Sequence, residues 1–97
     1  MDPFLQQKHD IMGLEVRADA ILGQVVTVRF EDRYLICVGV QALHLLASPL
    51  HLPVHAMLLI YPQHYDDPDE ILYTVKDNQE KFISLHCQSY EIIEAVY

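Results

Sequence analysis

The chain has 97 residues, of which 52% are hydrophobic and 21% charged, with three glycines and five prolines. This balance excludes disordered and fibrous classes and is enough to bury a core without metal or disulfide help. Fourteen acidic residues against six basic ones give a formal net charge of −8, a potential that repels phosphate backbones and attracts basic surfaces, so direct nucleic-acid binding is disfavoured. The asymmetry is greater toward the C-terminus. Residues 1–40 carry four basic and six acidic side chains, and residues 41–97 carry two and eight.

No apolar run approaches the roughly 20 residues that a membrane-spanning helix requires. With no signal-like N-terminus, the chain reads as soluble and cytoplasmic. Cys37 and Cys87 both lie in apolar, strand-like runs and read as buried free thiols.

Asp2-Pro3 is a helix-start pattern, and Phe4, Leu5, Ile11 and Met12 recur at helical spacing ahead of Gly13. A short amphipathic helix over 3–12 follows. Residues 14–22 suit either a strand or a helical turn with a glycine cap. The clearest element comes next. Residues 25–30 and 34–40 are β-rich runs separated by Glu31-Asp32-Arg33, which predicts a hairpin closed by a loop around a type I turn. Val26, Val28 and Phe30 share one face of the first run. The second run is apolar on both faces and reads as a central strand, with Ile36 and Val38 assigned to the core together with Val28 and Phe30.

Residues 41–47 are rich in helix formers and stop at Ser48-Pro49, which predicts a short helix. Pro49 and Pro53 bracket an extended connector, residues 54–61 read as a buried third strand closed by Pro62, and 63–69 as a polar, acidic loop. A second hairpin pairs 70–76 with 81–88 across the turn residues 77–80. The tail, 89–97, reads as a final strand. No internal repeat and no linker is visible. The expectation is one α+β domain: a small, mainly antiparallel bent β-sheet or small barrel of five or six strands with one or two short helices.

Six histidines raise a metal reading, with His44, His51 and His55 around the proline connector and His64 beside Asp66, Asp67 and Asp69. Their spacing matches no metal motif, and ordinary surface or hydrogen-bonded histidines are the expectation, with no metal and no cofactor assigned. His86 and Cys87 are adjacent on a strand, so their side chains point to opposite faces and form no catalytic dyad. The three glycines cradle no phosphate, and none of Ser48, Ser84 and Ser89 sits in a nucleophile-elbow motif. No enzyme activity is therefore expected.

Asp66, Asp67, Asp69 and Glu70 concentrate four carboxylates within five residues. They lack calcium-loop spacing but suit pairing with a basic protein surface, and Tyr61 and Tyr65 beside them are residue types favoured in interfaces. The functional expectation is a small, acidic, non-catalytic protein-binding module, acting as an inhibitor, immunity or antagonist protein on a basic partner, and self-associating as a homodimer. The alternative is a small-molecule or metal-binding domain that uses the histidines around Pro49 and Pro53.

Overall fold

A computed structural model of the chain describes residues 7–45, 54–64, 71–79 and 81–94. Among these residues there are ten strands and no helix: β1 (His9–Ile11), β2 (Gly13–Asp19), β3 (Gly23–Arg29), β4 (Arg33–Val38), β5 (Gln41–Leu45), β6 (Val54–Ala56), β7 (Leu58–His64), β8 (Ile71–Asp77), β9 (Ile83–Cys87) and β10 (Ser89–Glu94). All pairings are antiparallel. The expected α+β class is therefore corrected to all-β.

Both expected helices fail for the same reason, that tertiary pairing overrides a weak local preference. In place of the helix over 3–12, β1 pairs with β6 and sinks Ile11 into the core; residues 1–6 lie outside the described set. In place of the helix over 41–47, β5 pairs with β9; residues 46 and 47 lie outside. A register shift between Gln41 and His44 and a left-handed Ala42 (φ 52°) mark a bulge in β5, and Leu43 packs against the core. The single strand over 54–61 is in fact two, broken at Met57, and Pro62 lies within β7 rather than ending it.

The strands form a two-stranded sheet β1-β6 and two four-stranded sheets, β10-β4-β3-β2 and β5-β9-β8-β7. Each four-stranded sheet is a three-strand meander completed by the last strand of the other half, β10 joining the first and β5 the second. The same order of pairings thus occurs twice, with β1 to β5 corresponding to β6 to β10. A repeat is faintly written in the sequence too: Asp32-Arg33-Tyr34-Leu35 leads into β4 as Glu80-Lys81-Phe82-Ile83 leads into β9. Each run is acid, base, aromatic, aliphatic, a likeness of type without a single identity, which is why no repeat is visible on inspection.

Because β4 runs on into β5 and β9 into β10, the two sheets are joined by one antiparallel ribbon that bends at Gly39-Val40 and Gln88. Gly39 is at φ +65°, and a Cβ there would sit 2.7 Å from the Gln88 side chain, so the corner requires glycine. The Gln88 N–H donates to the Val38 carbonyl at 2.9 Å and holds the two chains together through the bend.

One apolar cluster draws on β1, β6 and both larger sheets, including Ile11, Val28, Leu35, Ala56, Ile60 and Leu85. The central hairpin forms where predicted, but the core face of its second arm is the other one. Leu35 and Cys37 are fully buried, whereas Ile36 and Val38 are half-buried. The cause is the turn. The Phe30 N–H donates to the Arg33 carbonyl at 2.8 Å, so only Glu31 and Asp32 are looped out, and Val28 faces Leu35 rather than Ile36. A one-residue change in loop length moves a whole strand to its opposite face.

Candidate functional site

The four carboxylates proposed for partner binding fall in the sequence between β7 and β8, which are neighbouring antiparallel strands. Tyr65, Asp66, Asp67, Asp69 and Glu70 themselves lie outside the described residues. What the structure describes is the pair of flanking strands. Period-two alternation sends Ile60, Val75 and Leu85 into the core and so turns Tyr61, Thr74, Lys76, Ser84 and His86 to the opposite face.

On that face Tyr61 is 37% exposed, and the Lys76 ammonium lies 5.6 Å from its ring centroid, within cation–π range. Tyr61 is opposite Thr74 and Lys76 opposite Leu59, so this is a diagonal contact between adjacent strands. Thr74 is buried beneath this layer, and its Oγ1 lies 3.1 Å from His86 Nδ1. The face therefore presents an aromatic ring, a cation and an imidazole, with the buried Thr74 hydroxyl held against the last. Lys76 was not singled out in the sequence, although its odd separation from Tyr73 and Val75 places it on the face opposite theirs, which is the outward one.

His86 and Cys87 point to opposite faces as expected, the first toward Thr74 and the second into the core. The Cys37 thiol is hydrogen-bonded to Cys87, and that bond, reinforced by burial, pushes its pKa up. The same contact lowers Cys87, against the opposing effect of burial. Neither thiol is in a disulfide.

Among the described residues the histidines do not converge. His55 Nδ1 is 2.8 Å from Asp10 Oδ1 across the β1-β6 pair, His44 lies on β5 opposite Ser84, and the His9 ring meets the edge of Phe30 at 5.8 Å. His51, Pro49 and Pro53 lie outside the described residues, and of His64 only its place in β7 is described. Among the described residues no group of three or more His, Cys, Asp or Glu is arranged to hold a metal. The histidine alternative thus gains no support there. Open hollows lie among the described residues. One of about 240 Å³ is lined by Glu15, Thr27, Arg29 and Tyr34 among others, and one of about 270 Å³ by Leu22, Gly39, Gln41 and Gln88 among others.

Asp77 is the acidic side chain with the most developed surroundings, and it is structural. It is 2% exposed, and its carboxylate accepts from the N–H groups of Lys81, Phe82 and Ile83 at 3.1, 2.9 and 3.1 Å. Burial raises its pKa, but these backbone donors outweigh burial and hold it below the ordinary value. Asp19 does the same at the β2–β3 turn, where the N–H groups of Leu22 and Ile21 lower its pKa. The sequence marked 77–80 as a turn but not Asp77 as its anchor, since a buried aspartate and a solvated one look alike in a string of polar residues.

Comparison with protein-family models, curated proteins and solved structures gives no match.

Proposed function

We propose that the chain is a small, acidic, non-catalytic protein-binding module, acting in the cytoplasm as an inhibitor, immunity or antagonist protein on a basic partner. The observation that supports this is the position of the four-carboxylate segment, which joins two adjacent antiparallel strands whose outward face carries the exposed Tyr61. A segment with that charge offers carboxylates to Arg and Lys on a partner, while Tyr61 on the adjoining strand supplies amphipathic contact area at low entropic cost.

The test is capture from one native lysate on immobilised wild type and on a variant with Asp66, Asp67 and Asp69 changed to Asn and Glu70 to Gln, each at low and high salt. A basic protein held by the wild type at low salt, released by high salt and missed by the variant is the expected result. Equal capture by both surfaces would remove the acidic segment from the mechanism.

A further inference from the structure

Four strands border the two larger sheets: β2, β10, β5 and β7. Exposed borders offer unpaired N–H and C=O groups, and proteins usually blunt them with proline, bulges or repelling charge. Three of the four are blunted in these ways. β7 contains Pro62, β5 is bulged at the left-handed Ala42, and β10 carries only acidic charge, Glu91 and Glu94. β2 is a seven-residue strand in unbroken register with β3, with no proline and no internal bulge, and Glu15, Val16, Arg17 and Ala18 are all exposed, Val16 by 42%.

The backbone parity of β2 follows from the hairpin beside it. The Phe30 N–H bonds to Arg33 on β4, so by alternation Val28 and Val26 bond toward β4, and Arg29, Thr27 and Val25 toward β2. Their β2 partners are Gly13, Glu15 and Arg17. The outward hydrogen-bonding groups of β2 are therefore those of Leu14, Val16 and Ala18.

We propose that β2 pairs antiparallel with β2 of a second copy about a two-fold axis at Val16, making one continuous sheet of eight strands from two of four. This goes beyond the reading of the acidic segment and does not depend on it. In this register Leu14 meets Ala18 of the second copy and Val16 meets Val16, so all the outward backbone groups are matched. On the opposite face Glu15 lies directly across from Arg17 of the second copy, and Arg17 across from its Glu15. These are non-hydrogen-bonded positions, where cross-strand side chains are closest. Charge selects the register. Moving the axis to Glu15 sets Glu15 against Glu15, and moving it to Arg17 sets Arg17 against Arg17. Leu14, Val16 and Ala18 fall together on the core-side face and extend it across the junction.

The experiment is sedimentation equilibrium over a concentration series on wild type, Glu15→Arg, Arg17→Glu and an equimolar mixture of the two variants, with circular dichroism to check folding. The wild type should dimerise. Each single variant sets like charges across the axis twice and should raise the dissociation constant roughly ten- to a hundredfold. In the mixture, one variant carries arginine at both positions and the other glutamate at both, so every pair across the axis is again of opposite charge. The mixture should therefore recover wild-type association as a heterodimer. A wild type that stays monomeric, single variants that dimerise as tightly as wild type, or a mixture that recovers nothing would each overturn the pairing.

Discussion

Tyr73 on β8 and Tyr90 on β10 meet edge to face, their ring centroids 5.1 Å apart and their planes at 85°. Tyr73 is the cross-strand partner of Cys87 and Tyr90 that of Cys37, and the two thiols are hydrogen-bonded to each other. These side chains close a ring that ties one four-stranded sheet to the other beside the corner. Edge-to-face pairs contribute ~0.5–1.5 kcal/mol beyond their burial. A double-mutant cycle of Tyr73→Leu and Tyr90→Leu in urea should return a coupling in that range, and a coupling of zero would make the ring contact incidental.

The same ring governs thiol chemistry. Cys37 and Cys87 are fully buried, and the thiolate is the reactive form, so alkylation has to wait for the fold to open. Iodoacetamide labelling followed by mass spectrometry should be slow in native buffer and fast in denaturant, for both residues together. Rapid labelling of either under native conditions would contradict the packing.

Asp77 sets an acid limit on stability. Its folded pKa lies below the ordinary value because three N–H bonds outweigh burial. A depressed carboxyl contributes stability that is fully present above the unfolded value of about 3.9 and is lost as pH falls through the folded value. Asp77→Ala leaves those donors without their acceptor and should cost ~2–4 kcal/mol at pH 7. The difference from wild type, measured by denaturant melts, should be flat above about pH 5 and shrink below about pH 4.

Leu35 and Ile36 separate the two possible faces of β4. Leu35 is fully buried and Ile36 half-buried, so Leu35→Ala should cost ~2–5 kcal/mol and Ile36→Ala ~1 kcal/mol. Denaturant melts of the two variants decide it, and the reverse order would restore the three-residue loop.

Neutralising Asp66, Asp67, Asp69 and Glu70 with Asn and Gln should slow association with a basic partner and flatten its salt dependence. The attraction is screened over about 8 Å at physiological ionic strength. Circular dichroism and denaturant melts should show the fold retained, with stability within about 0.5 kcal/mol of wild type. Stopped-flow rates across a salt series separate this from a loop that is merely solvated.

How much of this was legible depended on whether a segment's neighbours agreed with its local pattern. The runs around Val28 and around Val75 alternate cleanly and became strands where expected, and residues 89–94 of the tail became β10, residues 95–97 lying outside the described set. Residues 9–11 and 41–45 have compositions that tolerate helix, and only partners distant in sequence, β6 and β9, fix them as strands. The face of β4 was unreadable for another reason. Leu35, Ile36, Cys37 and Val38 are all apolar, so the choice fell to a turn whose length no residue in Glu31-Asp32-Arg33 declares. At the candidate site, the acidic segment and Tyr61 stand out by composition, while Lys76, Thr74 and His86 become neighbours only through the β7-β8-β9 register.

The exchange of β5 and β10 between the two sheets makes the halves of the chain mutually dependent. Each half builds three strands of its own sheet and donates its last strand to the other, so neither can satisfy its backbone or cover its core alone. Scission of the chain between Leu45 and Val54 would therefore not release two small domains. It would leave two fragments that reassociate by strand complementation, with the affinity of a core interface. The domain is in this sense a fused pair, in which one polypeptide supplies both members of what two identical half-length chains would otherwise form by swapping strands.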